Sequence, residues 1–203
     1  MPAAFQHFAG HIGAVAAHLL GLEFTQATVA ATTDGQRRNA DAGLAQLLET
    51  GKGSAVSLFQ ECAQRYLATY AQVTECLWNL DLPPRQALEQ ALRQSARMQC
   101  EDGHPKGCMV GLAVMSAPSA ELAQVTAPLN RSRARTRAGI ADCVSRALDA
   151  GELRQDVDAQ GLSVMFDSFL VGLSTLARDN IGIEAMERAI TQVMRLWDSS
   201  VAV

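Results

Sequence analysis

The stretch that decides the fold is 162-LSVMFDSFLVGLSTLARDNIGIEAMERAITQVMRLW-197, near the carboxyl end of the chain. In its first half, apolar residues recur every three or four positions, which is the period of a helix and not of a strand. The second half repeats this pattern from Ile183 to Trp197, after the short connection 178–182. Two consecutive helices with a short loop between them are antiparallel neighbours, so the stretch predicts a helical hairpin. The apolar positions of the first helix are Leu162, Met165, Phe166, Phe169, Leu170, Leu173 and Leu176.

Both predicted helices also carry large apolar residues outside the main stripe, such as Val164, Val171 and Leu196. A single buried face does not account for these residues. A second apolar surface on a terminal hairpin is best used by pairing with another copy of itself, and we expect a homodimer with two-fold symmetry. The predicted interface consists of Val164, Val171, Met186, Ile190, Val193 and Trp197.

Length and composition indicate a globular, all-α protein. A chain of 203 residues can bury a sizeable core, and 48% hydrophobic with 19% charged residues is typical of folded proteins. Alanine, leucine and glutamine abound, proline is scarce, and no run of alternating β-branched residues indicates a strand. The expected fold is a helical bundle.

The net charge of −4 gives no overall attraction to nucleic acid, so any DNA binding must come from a local patch. The most basic tract contains Arg131, Arg133, Arg135 and Arg137. We favour the interpretation that this tract is a solvated helix start, with a phosphate-binding patch as the alternative.

The five cysteines are an odd number without CxxC spacing, which favours free thiols in a reducing cytoplasm. No run approaches the roughly 18 apolar residues of a membrane span, and the amino-terminal segment lacks the pattern of a signal peptide. The sequence therefore predicts a soluble, cytoplasmic protein that does not bind a membrane.

No catalytic constellation is evident, and we expect neither an enzyme nor a cofactor. Cys108 and His104 could form a thiol–imidazole pair, but a buried helix cysteine is the favoured interpretation. His7, His11 and His18 share one face of a predicted helix, and two such histidines can hold a metal ion. No carboxylate or cysteine nearby completes a ligand shell, so no metal site is predicted.

Upstream of the hairpin, the apolar spacing predicts a long helix over 58–80 and another that begins near Pro84. A helix containing Cys108 should stop at Pro118, and the next should run from Ser119 until Pro128 closes it. A further helix passes through Ile140 and ends near a glycine at position 151, which suits the left-handed conformation of a helix cap.

Three motifs in this order resemble the carboxy-terminal regulatory domain of TetR-family transcriptional repressors. They are 149-DAGEL-153 after a helix, 156-DVD-158, and a helix that contains 169-FLVGL-173. The segment 105-PKGCMV-110 also matches the Gly-Cys helix start found in many members of the family. The resemblance extends from about Ser54 to Trp197.

The amino-terminal region resembles the family's DNA-binding domain only in part. Segment 21–28 is similar to the passage between the first two helices of that domain, and 51-GKGS-54 is similar to the start of its recognition helix. The Leu-Tyr and Lys-Glu pairs expected after that start are missing. Either this region has diverged, with or without loss of operator binding, or it reflects a shifted reading frame, and the true frame resumes near Ser54. The residues that the resemblance implies for DNA contact are Arg37, Arg38, Lys52, Gly53 and Ser54.

The resemblance implies a regulator with two parts, a DNA-binding-like region at 1–57 and a regulatory and dimerisation domain at 58–203. The expected function is that of a repressor that binds operator DNA and is controlled by a small apolar effector. The alternative is a dimeric, all-helical ligand-binding protein that has lost operator binding. Candidate walls of the effector pocket, each of which could equally belong to the core, are Trp78, Met98, Met115, Phe166 and Phe169.

Overall fold

The structure of the protein is a computed structural model that describes residues 55–113 and 120–202, and helices account for most of these residues. Within these ranges the only β-type pairing is an isolated antiparallel bridge between Leu153 and Val201. The prediction of an all-α fold is confirmed. The elements are α1 (Ala55–Thr69), a 3₁₀ segment (Tyr70–Trp78), α2 (Pro84–Cys100), α3 (Met109–Ala113), α4 (Ala120–Asp149), α5 (Ala159–Arg178) and α6 (Ile183–Asp198).

The end of α4 shows the glycine cap that the sequence predicted. Gly151 has a φ of 72°, in the left-handed region that glycine adopts without strain. Its amide donates to the Leu148 carbonyl at 3.0 Å, and the Glu152 amide donates to the Ala147 carbonyl at 2.8 Å. This pair of bonds is the Schellman motif, which satisfies carbonyls that the helix leaves free.

The connection between α5 and α6 is short, as predicted, and it begins with the same kind of cap. Asn180 has a φ of 58°, and the Ile181 amide donates to the Leu176 carbonyl at 3.0 Å. The start of α5 is capped by Asp158, whose carboxylate accepts a hydrogen bond from the Gly161 amide at 2.9 Å. Helix α6 then packs mainly on α2, while α5 packs mainly on α4.

The main hydrophobic cluster buries the inner faces of α2, α4, α5 and α6 together. At one end of this cluster the Phe166 and Trp197 rings lie 6.3 Å apart between centroids. The inward stripe predicted on the helix after Pro84 is confirmed, and its members Leu88, Ala91, Leu92, Ser95 and Met98 are all buried.

This packing corrects part of the predicted dimer interface. Met186, Ile190 and Trp197 are buried inside the subunit, mainly where α6 packs against α2. A partner subunit cannot reach these side chains while the core remains intact. The helical period identified a buried face correctly but could not show which element buries it.

A second, smaller cluster joins α1, α3 and the first half of α4. Tyr66 and Leu129 are fully buried in it, together with Ala63, Met109 and Val110. The Tyr70 ring lies beside this cluster and meets the His104 ring edge-on, with 4.4 Å between the centroids.

Helix α4 runs through Pro128, where the sequence predicted a break. Proline removes one hydrogen bond and crowds the preceding turn, at a cost of about 3 kcal/mol. Leu129, the next residue, is fully buried in the second cluster. Burial of a leucine side chain returns about 2 kcal/mol, so Leu129 offsets most of this cost and the other packing contacts of α4 must supply the rest.

The predicted helix over 58–80 is α-helical only as far as Thr69, after which it tightens into the 3₁₀ segment Tyr70–Trp78. The hydroxyl of Thr69 donates to the Arg65 carbonyl at 2.8 Å, and that of Thr74 donates to the Ala71 carbonyl at 3.3 Å. Threonines that bond back to the helix in this way compete with its backbone hydrogen bonds. A 3₁₀ run of 9 residues is unusually long, and such a stretch within a helical path often marks a hinge.

A ladder of alternating charges ties α2 to α6. Within it, Arg85 reaches Asp198 at 2.7 Å, and Arg97 reaches Glu187 at 2.8 Å. Arg93 contacts both Glu187 and Glu89, so neighbouring ion pairs share side chains. In order of contact the ladder comprises Asp198, Arg85, Glu89, Arg93, Glu187 and Arg97.

Replacing Glu187 with glutamine should lower the free energy of unfolding by about 1 kcal/mol at neutral pH, the upper range for partly exposed ion pairs. Burial acts to raise the pKa of Glu187, but hydrogen bonds from Arg93 and Arg97 outweigh it and hold the pKa below its ordinary 4.5. The stabilisation is therefore present above that value and is lost as pH falls through the folded-state pKa.

Urea denaturation of the wild type and E187Q, at neutral and at acidic pH, measures this difference. The matched control is E184Q, because Glu184 is exposed on the same helix and has no ion pair among the described residues. Equal losses of unfolding free energy in E187Q and E184Q at neutral pH would contradict the assignment of this stabilisation to Glu187. A difference between the wild type and E187Q that persists in acid would contradict it as well.

Candidate functional site

A cavity lies inside the bundle between the 3₁₀ segment, α2, α3, α4 and α5. Its empty volume is about 540 Å³, including the open solvent at its mouth. Most of its wall is apolar, with Met98 from α2, Val110 from α3 and Leu170 from α5 among the lining side chains. Sites of this kind between bundle helices are typical places for small apolar ligands.

The pocket residues proposed from the sequence do not all meet at this cavity. Met98 lines it. Phe166 is fully buried in the main cluster, Phe169 packs against that cluster, and Trp78 is half-buried under Arg135. Met115 lies outside the described residues.

Helices α4 and α5 are joined at the cavity by an ion pair. Arg137 Nε donates to the Asp167 carboxylate at 2.9 Å. Asp167 lines the cavity and is only 8% exposed, so its charge needs this partner. A hydroxyl pair, Thr74 with Thr136 at 3.2 Å, similarly joins the 3₁₀ segment to α4 on the cavity wall.

Two further polar side chains line the cavity and carry a buried atom without a hydrogen-bond partner among the described residues. They are Gln99, through its amide oxygen Oε1, and Arg133, through Nε. Gln99 was not among the residues predicted from the sequence, and Arg133 belongs to the tract that was interpreted as a solvated helix start. The signal that could have identified Arg133 is its spacing of four from Arg137, which puts both side chains on one face of a helix.

The remaining arginines of that tract point elsewhere. Arg135 pairs with Glu75 at 2.7 Å, and its guanidinium lies 4.8 Å from the centre of the Trp78 ring. Arg131 is exposed. The tract is therefore neither purely solvated nor a single basic patch, because successive arginines two residues apart face opposite sides of α4.

All five cysteines are free, as predicted. Burial raises the pKa of the Cys62 thiol to about 11 and that of Cys143 also to about 11. Both are therefore protonated thiols at neutral pH, and a protonated thiol is a poor nucleophile. Cys108, which the sequence paired with His104 as an alternative, lines the cavity.

The proposed DNA-contacting residues Arg37, Arg38, Lys52, Gly53 and Ser54 lie outside the described residues. The same holds for the histidine stripe of the amino-terminal segment. Within the described part of the chain, no group of three or more histidine, cysteine or acidic side chains could hold a metal ion.

Each of the helices α5 and α6 exposes one large apolar side chain. Val164 on α5 is 52% exposed and Leu196 on α6 is 45% exposed. In length and composition α5 could cross a membrane, with a mean hydropathy of 1.2, and no other described helix meets both conditions. One marginal helix does not indicate a membrane protein, and α5 here supplies core residues on one side and leaves Val164 exposed on another.

Comparison with known proteins finds a family match and two similar structures. The model of the tetracyclin repressor-like C-terminal domain matches residues 84–193. A cysteine-substituted variant of the TetR family transcriptional regulator CifR, complexed with 26-bp double-strand operator DNA, has a TM-score of 0.65 and 21% identity and covers 97% of this chain and 97% of its own. A second such variant with the same DNA has a TM-score of 0.61 and 21% identity. It covers 96% of this chain and 98% of its own. These likenesses establish the fold. Comparison with curated protein sequences gives no match.

Replacing Arg137 with methionine should lower the free energy of unfolding by about 1–3 kcal/mol, because it leaves the Asp167 carboxylate buried without its partner. Adding Asp167→Asn should restore most of the loss, since a neutral amide needs no counter-charge. Chemical denaturation of the single and double variants forms the cycle that isolates the pair. Arg131→Met is the control, and a loss as large as that of R137M would refute the coupling.

Proposed function

The chain belongs to the TetR family of transcriptional regulators, and we propose that it is a repressor that binds operator DNA and is controlled by a small molecule in the cavity. One observation carries this proposal. The residues that match the family's regulatory domain, 84–193, contain α2, α3, α4 and α5, which form the cavity together with the 3₁₀ segment. We propose a regulator without catalytic activity.

The two parts of the proposed function are assigned to successive segments of the chain. We assign DNA contact to residues 1–57, with Arg37, Arg38, Lys52, Gly53 and Ser54 as the contacting residues, and regulation to residues 58–203. Helix α1 begins at Ala55 and continues into the 3₁₀ segment of the cavity wall, so it links the two parts. An effector that binds better to the conformation unable to hold DNA must weaken DNA binding by the same coupling free energy.

The proposed assembly is a homodimer built on the outer faces of α5 and α6. Val164 and Leu196 supply exposed apolar surface, and the other two accessible candidates, Val171 and Val193, are half-buried. Val171 also lines the cavity. A two-fold pair of such faces covers apolar surface that a single subunit leaves in water. A dimer also fits an operator with two half-sites, because protein symmetry and half-site spacing correspond.

A gel shift with DNA from upstream of the protein's own gene should reveal sequence-specific binding, measured against scrambled DNA of equal length. The affinity should fall steeply between about 50 mM and about 200 mM salt, because phosphate contacts release counterions. Lys52→Ala should weaken binding and reduce the salt slope by about 1, whereas Arg188→Ala on the exposed side of α6 should not. Absence of specific binding at low salt would favour the alternative, a dimeric ligand-binding protein without operator binding.

Introducing aspartate at both Val164 and Leu196 should convert a micromolar dimer into a monomer, because charges cannot be buried unpaired in an apolar interface. Analytical ultracentrifugation measures the change, and circular dichroism checks that each subunit stays folded. The matched control is Leu80→Asp, since Leu80 is 76% exposed on the loop after the 3₁₀ segment. A monomeric wild type, or an unchanged double variant, would exclude this interface.

A further inference from the structure

The charge balance of the cavity favours an anionic ligand. Its charged lining side chains are Arg133 and Asp167. Asp167 already receives a hydrogen bond from Arg137 at 2.9 Å, which neutralises its carboxylate. Arg133 has no ion pair among the described residues, and its buried Nε has no hydrogen-bond acceptor there. The net uncompensated charge facing the cavity is therefore positive.

Gln99 adds a second requirement. Its side chain is 1% exposed and lines the cavity, and its Oε1 atom has no hydrogen-bond donor among the described residues. A buried acceptor without a donor is destabilising, and a ligand that supplies the donor recovers that free energy on binding. The ligand should therefore carry a hydroxyl or amide N–H as well as the group that Arg133 binds.

The other lining side chains indicate the chemical character of the rest of the ligand. Met98, Val110, Leu170 and Val171 present apolar surface. The hydroxyls of Ser95, Ser132 and Ser174 also line the cavity, but most of its wall is apolar, which favours a ligand with a mainly hydrocarbon body.

From these three features we propose that the cavity binds an amphipathic carboxylic acid with a hydrocarbon body and a hydroxyl group near its carboxylate. Arg133 donates to the carboxylate, and Gln99 Oε1 accepts from the hydroxyl. An amine head group is disfavoured, because Arg133 repels it and Asp167 is occupied by Arg137. This inference rests on the proposed function, since it names the chemical class of the effector.

Isothermal titration of the full chain with decanoate, 1-decanol and decylamine tests the charge preference, because the three probes share one hydrocarbon body. We expect decanoate to bind about tenfold tighter than 1-decanol, in keeping with hydrogen bonds to a charged group, and decylamine to bind weakest. Arg133→Gln should abolish the preference for decanoate and leave 1-decanol unchanged. Arg133→Lys should retain part of the preference, and the exposed neighbour variant Arg131→Gln should retain all of it.

A second pair of ligands tests whether a hydroxyl group strengthens binding. We expect 3-hydroxydecanoate to bind several-fold tighter than decanoate in the wild type, and Gln99→Met to remove that advantage while keeping the affinity for decanoate. Methionine is similar in length and apolar, so this variant retains the packing of α2. An unfolding temperature of Q99M that is no lower than that of the wild type checks that packing.

Equal affinities for the three head groups, tighter binding of decylamine, or no binding of any probe would overturn the proposed ligand class. An advantage of decanoate that survives in R133Q would overturn the role of Arg133. Operator binding by the ligand-free protein is measured separately by gel shift, so its loss refutes the repressor function alone. Operator binding with no preference for the anion refutes only this inference.

Discussion

Burial of α4 in two separate hydrophobic clusters is the constraint on which the rest of the structure depends. Its second half contributes Ile140 and Val144 to the main cluster, while Leu129 belongs to the smaller one. A single helix thus fixes the distance between the two cores, and the cavity lies along it with walls drawn from both. The same anchoring explains why Pro128 does not end the helix, since breaking α4 there would uncover Leu129.

The sequence was sufficient for the helices whose burial is one-sided and whose ends carry strong caps. Gly151 and the stripe of α2 are examples, because backbone conformation and periodicity are local properties. The sequence was insufficient where contacts between distant elements determine the structure. Pro128 lies within a helix because of a distant cluster, and Met186 faces α2 although its spacing suited a partner subunit equally well. A periodic pattern identifies an apolar face but does not identify the element that covers it.

The cavity illustrates the same limit at the level of single side chains. Large apolar residues such as Phe166 suggested pocket walls, yet size and polarity are shared by core and pocket residues. The distinguishing feature is a buried polar atom without a partner, as at Gln99 and Arg133, and this becomes visible only when neighbouring elements are in place. The basic composition of the tract did not show that Arg133 lines the cavity, because the arginines of this tract alternate between opposite sides of α4.

The 3₁₀ segment connects the cavity to the amino-terminal side of the chain. It forms part of the cavity wall and continues directly from α1, so a ligand in the cavity would contact the segment that leads to the amino-terminal region. Its polar ties to α4 include a hydroxyl pair, Thr74 with Thr136, and a solvent-exposed ion pair, Glu75 with Arg135. Near the end of the segment, the Leu77 carbonyl also accepts from Arg146 at 3.2 Å and from the Cys143 thiol at 3.5 Å. A ligand can displace the segment only if it binds more tightly when these ties are broken, and the difference in its binding free energy must exceed their combined contribution.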